Sequence, residues 1–213
     1  MCGRYATGDT TWEEYRAWLN LIEGHPPLNV EPRYNIAPTV TAPFAAEIDG
    51  RRVLTTGRWG IWQPWMEGKR LSTFNARAER LAESRLFSPL LSRGRCLVPA
   101  MGFYEWTGPK GERQPHFIRH GEDPLLVFAG LWTRAQKDGE LVSSFTIITT
   151  AANDQMTPIH DRMPAILDAG AREAWMSGGE PAELCVPFDG ELDIYPVKGP
   201  ISGEGRSLVE QAR

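Results

Sequence analysis

Cysteine is scarce in this sequence: Cys2, Cys96 and Cys185 are the whole supply. An odd number leaves at least one thiol without an internal partner, and the lack of any CxxC spacing argues against a structural zinc site. No apolar run approaches the ~20 residues that a membrane-spanning helix requires. The first residues, Met1-Cys2-Gly3-Arg4-Tyr5, have none of the long apolar character of a secretory signal. These absences predict an intracellular, cytoplasmic location without a membrane, where Cys96 and Cys185 are buried thiols on apolar segments. Positive charge is also in short supply, with 23 Lys and Arg against 27 Asp and Glu and a formal net charge of −4. That balance argues against non-specific attachment to a polyanion, so any nucleic-acid surface has to be a local groove. Arg4, Arg77, Arg80, Arg85 and Arg162 are the candidates for it, unless they are only solvated surface charges.

Internal repeats and low-complexity tracts are missing too. The chain of 213 residues is 41% hydrophobic and 23% charged, which suits one domain with a sizeable core. Thr11-Trp12-Glu13-Glu14 has capping-box spacing, and Trp12, Tyr15, Trp18 and Leu19 fall on one face of the helix that follows. Pro26-Pro27 closes that region, and Tyr34-Asn35-Ile36-Ala37-Pro38 reads as an ordered loop. A strand is expected over 52–62, running into a Trp-rich turn. A helix is expected over 77–91, disturbed at its end by Pro89. Short strands follow over 96–99, 102–106, 116–119, 125–133 and 145–150, with Gly108-Pro109-Lys110-Gly111 as one turn between them. A further strand at 163–167, a helix at 170–176 and a last strand ending at 195–197 complete the pattern. Strands and helices do not alternate regularly, so the expected class is α+β: a single domain with a strongly curved, barrel-like mixed or antiparallel sheet flanked by helices. Residues 1–198 form that domain in this reading, and the glycine-bracketed stretch 199–213 is a flexible C-terminal tail.

Cys2 is the first residue with chemical potential. Removal of Met1 would leave a 1,2-aminothiol, an amine and a thiol on adjacent carbons. The amine condenses with an aldehyde to an imine, and the thiol closes a five-membered thiazolidine. Unperturbed α-amines titrate at about 7.7–8.0 and thiols at about 8.5, leaving a reactive fraction near neutrality. A Met-Cys start alone is weak, since it also arises by accident. Three other segments add to it. Asn75 and Arg77 precede the expected helix, where they could orient a substrate and bind a phosphate or simply cap the helix. Glu105 lies within Gly102-Phe103-Tyr104-Glu105-Trp106; a carboxylate among rings exchanges protons nearer neutrality, whereas one facing outward would be ordinary strand surface. His160 lies in Pro158-Ile159-His160-Asp161-Arg162-Met163-Pro164, either as a proton-transfer group on a rigid loop or as a core histidine paired with Asp161.

These segments are far more specific together than singly. Cys2-Gly3-Arg4-Tyr5, Tyr34-Asn35-Ile36-Ala37-Pro38, Trp59-Gly60, Phe74-Asn75-Ala76-Arg77-Ala78-Glu79, Gly102-Phe103-Tyr104-Glu105-Trp106, Thr149-Thr150-Ala151-Ala152 and Ile159-His160-Asp161-Arg162-Met163-Pro164 occur in one order. In that order, over roughly Cys2 to Val197, the chain resembles the SRAP family, named for SOS response-associated peptidase.

The resemblance implies loss of the initiator methionine, in some members by self-cleavage, and crosslinking of the exposed cysteine to abasic sites in single-stranded DNA. It assigns Cys2 as the covalent nucleophile and Asn75 as the residue that holds the substrate and the N-terminus. Glu105 becomes the proton shuttle, and His160 the acid that protonates the sugar oxygen. Thr149 would line the pocket. Arg4, Arg77 and Arg162 would contact phosphates, Pro38 and Trp106 would line the nucleotide path, and Trp65 and Met66 would wedge against bases at a single-strand/duplex junction. No metal or other cofactor is expected, and the working form is expected to be a monomer. Met66 stands where relatives have a second tryptophan, and Val197-Lys198-Gly199-Pro200-Ile201 departs from their Val-Asn pair. Two other readings compete: an N-terminal-nucleophile hydrolase acting on peptides or amides in trans, and a non-enzymatic reader of modified or single-stranded DNA.

Overall fold

The computed structural model describes residues 2–22, 28–69, 72–109 and 111–212. Met1, Pro26, Pro27 and Lys110 lie outside them. Eleven strands and three α-helices are found among the described residues. Five strands form a ring: β2 (Thr41–Ile48) pairs β3 (Arg51–Trp59) and β5 (Arg95–Ala100), β5 pairs β8 (Leu126–Lys137), β8 pairs β9 (Glu140–Ala151), and β9 returns to β3. All of these pairings are antiparallel except β3–β9, which is parallel. The expected α+β class with a curved, barrel-like mixed sheet is therefore the observed one. Closure removes the free edges that an open sheet would present.

Short strands β4 (Asn75–Arg77) and β10 (Arg162–Pro164) extend β9 beyond the ring. A second sheet of four strands has the order β1 (Tyr5–Ala6), β6 (Gly102–Thr107), β7 (Gln114–His120), β11 (Leu192–Pro196). Its two faces read directly from period two. Phe103 and Ile118 join Cys2, Tyr5 and Phe128 in the barrel core, whereas Tyr104 and Phe117 pack on the other side with Tyr34, Val197 and Ile201.

Helix α1 (Trp12–Leu19) forms where the capping box placed it: Glu14 N donates to Thr11 Oγ1 at 3.2 Å and Thr11 N to Glu14 Oε2 at 2.7 Å. Tyr15 and Leu19 are its buried residues. Helix α2 (Ala169–Met176), capped by Asp168, buries Trp175 against the barrel; α3 (Pro181–Leu184) is a single turn after it.

Three expectations fail for identifiable reasons. Residues 77–91 do not form an α-helix. Strand β4 is captured by β9 through Asn75, and the rest breaks into turns with 3-10 segments at Ala78–Arg80 and Ser88–Leu90. Leu81 and Leu90 are buried all the same, so the apolar spacing marked a buried face and not a helix. Strand β2 goes unforeseen because Pro43 interrupts it. The structure tolerates that proline because β5 pairs only with Ala45 and Ala46, leaving the missing N–H unneeded there. Finally, the C-terminal stretch is packed, not loose. Ile201 and Val209 are buried, Glu204 accepts from Arg33 Nε and Tyr34 N, and Gln211 bridges back to Val197.

Candidate active site

Cys2 enters the barrel core beside β1 and is fully buried. Its carbonyl accepts a hydrogen bond from Asn75 Nδ2 at 2.7 Å. The amide can reach it because β4 is pinned to β9, with Asn75 opposite Ile147. Asn75 Oδ1 is also buried and makes no hydrogen bond within the described residues, so the same amide retains an unused acceptor. Glu105, only 4% exposed on β6, lies close enough to act electrostatically on the Cys2 sulfur. Burial first, and the Glu105 carboxylate second, push the Cys2 thiol well above its ordinary range. In this state the sulfur holds its proton at neutral pH. Register also brings the β6 backbone onto the N-terminal strand, since Tyr104 N donates to Arg4 O at 2.9 Å.

His160 sits in the loop before β10, half-buried. Its Nδ1 lies 2.9 Å from Arg162 N and 2.9 Å from Asp161 Oδ1. The same ring nitrogen thus faces both a backbone donor and a carboxylate oxygen. The Asp161 contact matters less, because that carboxylate is 87% exposed. His160 is held on a loop whose Met156 and Ile159 pack into the core around Cys2.

Two arginine-bearing clefts flank the Cys2–Asn75 bond. One, of about 780 Å³, is lined by Gly3, Arg4, Trp106, Arg113 and Gln114 and by Gly199, Pro200 and Ile201 of the C-terminal segment. The other, of about 400 Å³, is lined by Asn75, Arg77, Arg80 and Phe87 among others. Arg4 is fixed in the first by donating to Asn35 Oδ1 at 2.5 Å, and the Tyr34–Pro38 loop that supplies Asn35 is held by a bridge between Ile36 and Tyr5. Pro38 is half-buried on that loop.

Not every expected contact residue faces a cleft. Arg162 donates to both Glu79 oxygens, at 2.6 and 3.0 Å, and to Thr149 O at 2.6 Å. It therefore clamps β10 to the segment after β4 and is not a spare cation for phosphate. Thr149 is completely buried beneath that clamp, where it supports the pocket without lining it. Met66 is 6% exposed and Trp65 is 55% exposed, with Lys69 Nζ 5.1 Å from the Trp65 ring centre. The 3-10 turn Pro64–Met66 turns only one of the two expected wedge residues outward. Arg113 is a cleft residue that the sequence reading overlooked. It follows the Gly108–Gly111 turn by two residues, and that position at a hairpin mouth was its only signal.

A family model described as "SOS response associated peptidase (SRAP)" matches residues 1–202. The chain belongs to the SRAP family. Among similar proteins are the abasic site processing proteins YedK of Escherichia coli, 34% identical over 99% of both chains, and YoqW of Bacillus subtilis, 34% identical over 99% of this chain and 98% of that one. The abasic site processing protein HMCES of Xenopus tropicalis is 33% identical over 86% of this chain and 63% of its own. Among solved structures, a protein from Bacteroides thetaiotaomicron superposes with a TM-score of 0.85 over the full length of both chains at 24% identity, a likeness of fold. A phage-related protein from Bordetella bronchiseptica gives 0.69 at 28% identity, covering 93% of this chain and 95% of that one.

Proposed function

We propose that this SRAP chain, acting as a monomer, processes abasic sites in single-stranded DNA by bonding Cys2 to the opened sugar. Hydrolysis of the Met1–Cys2 peptide bond within this pocket first frees the cysteine nitrogen. The amine adds to the sugar aldehyde and water departs, leaving an imine. The Cys2 sulfur then adds to the imine carbon, its proton ends on nitrogen, and a thiazolidine closes. Glu105 receives and returns protons in both steps, and His160 Nε2–H donates to the sugar oxygen as the hemiacetal opens. Asn75 holds the residue being joined, which converts a bimolecular encounter into an oriented one. Arg4, Arg77, Arg80 and Arg113 offer phosphate contacts in the two clefts, Trp106 and Pro38 flank the path, and Trp65 stacks on a base at a duplex junction.

The observation that carries this reading is the 2.7 Å bond from Asn75 to the Cys2 carbonyl, with the buried Glu105 beside the sulfur. A thiol kept protonated by burial suits ring closure after imine formation better than it suits the thiolate of a trans-acting hydrolase. The test is intact-mass analysis of purified protein before and after incubation with a single-stranded oligonucleotide containing one abasic site. The expected product is protein lacking Met1 plus oligonucleotide minus one water, with no adduct from Cys2→Ala and retained Met1 in Glu105→Gln. Normal crosslinking by Cys2→Ala, or a linkage mapped to a lysine, would overturn the reading.

A further inference from the structure

A proton shuttle buried as deeply as Glu105 has to be reset. The freed Cys2 amine is largely an ammonium near neutrality; the proton it sheds before attacking the aldehyde is not taken back in ring closure and must leave, yet a side chain 4% exposed has little direct access to water. The register of the second sheet places one titratable side chain directly against it. Glu105 on β6 is opposed by His116 on β7, and directly opposed residues project from the same face of a sheet. That face carries Phe103 and Ile118 into the core around Cys2. His116 Nδ1 is buried and makes no hydrogen bond to any described residue, while the residue as a whole is half-buried. Part of the residue therefore reaches solvent while Nδ1 does not.

From these observations, and resting on the function proposed above, we infer that His116 is the positioning residue through which Glu105 exchanges protons with solvent. Opposed Cβ atoms lie about 4.5–5.5 Å apart, so a side-chain rotation brings a carboxyl oxygen within hydrogen-bonding distance of Nδ1. The protonated carboxyl passes its proton to neutral Nδ1, giving an imidazolium, and the Nε2 proton then leaves to water. Imidazole suits the task because it changes charge between pH 5 and 8. On the other flank of β7, Pro196 of β11 opposes His116 and brings no charge. Of the titratable and charged groups near this face, Glu105 opposes His116 from β6, Cys2 lies within electrostatic reach of Glu105, and Arg4 and Arg113 line the cleft shared with Gln114 and Pro115 next to His116.

The experiment follows single-turnover crosslinking to an abasic single-stranded oligonucleotide from pH 5.5 to 8.5, for the native protein, His116→Gln and His116→Ala. Glutamine preserves polarity without titrating. Expected is a roughly tenfold lower rate for both variants near pH 7, a modest share of the 10²–10⁴ that acid–base groups supply. The native pH limb should be lost, and added imidazole should restore it in His116→Ala. A structural role alone would lower the rate uniformly and give no rescue. If the variants keep the native pH profile, or if folded His116→Ala is slowed without imidazole rescue, the assignment is wrong while the crosslinking function stands. If the native protein forms no adduct, both fall together.

Discussion

Asn75 is the residue on which the geometry of the site turns, because it ties Cys2 to the barrel through one short hydrogen bond. A neutral hydrogen bond of this kind contributes about 0.5–1.5 kcal/mol net. Asn75→Ala should therefore slow single-turnover crosslinking by about tenfold at most through this bond alone, where 1.4 kcal/mol corresponds to one decade. Asn75→Asp should be slower still, since a carboxylate would face the Cys2 carbonyl. Quenched-flow gels on an abasic oligonucleotide measure both, and a native rate in Asn75→Ala would remove the residue from the mechanism. Four residues, Cys2, Asn75, Glu105 and His160, were each ambiguous in the sequence and informative only as an ordered set. The fate of Thr149 and Met66 was not legible, because burial depends on which neighbour covers a side chain and not on its type.

Between elements, the ion pair from Arg162 on β10 to Glu79 adds a side-chain tie to the backbone ladders that join β4 and β10 to β9. The Arg162 guanidinium holds the Glu79 carboxyl below its usual range. A carboxylate depressed in the folded state adds stability above its unfolded pKa, and that contribution is lost as pH falls through the folded value. Glu79 is 52% exposed, so solvent screening limits the pair to about 1 kcal/mol or less. Glu79→Gln should thus be less stable than the native protein by up to about 1 kcal/mol at pH 7. The two should converge as pH falls below about 4.5. Urea unfolding at pH 7 and pH 3.5 checks this, and a constant difference at both would show that the pair is not the source. The sequence could not reveal this clamp, because it joins residues 83 positions apart and was masked by the apparent helix over 77–91.

For the whole molecule, the net charge of −4 coexists with arginines gathered along two clefts, one lined by the residues that follow Cys2 and the other by Asn75. Local arrangement, not total charge, sets the field that a single strand would meet. Arg77→Ala and Arg113→Ala should each weaken binding of an unmodified single-stranded oligonucleotide and reduce the slope of log K against log salt by about 0.7. Arg162→Ala should leave that slope nearly unchanged, because its guanidinium is committed to Glu79 and Thr149. Fluorescence anisotropy across a salt series separates these outcomes. An Arg162→Ala slope reduced as much as that of Arg77→Ala would return Arg162 to the phosphate path. The packed C-terminal segment belongs to this scale too, since it closes one wall of the larger cleft.

The amino-acid order by itself determined the strand-rich α+β class, the capped first helix, most strand positions and the family, because period-two burial, capping and motif order are local or ordered signals that survive in one dimension. Only the tertiary structure decided that β8 and β9 close a ring, that Pro43 can sit inside it, and that the segment 199–212 packs back through Glu204 onto Tyr34. It alone placed His116 against Glu105 and tied Arg162 to Glu79. Those outcomes depend on strand register and on contacts between distant residues, and a one-residue change of register would send every side chain of a strand to the opposite face.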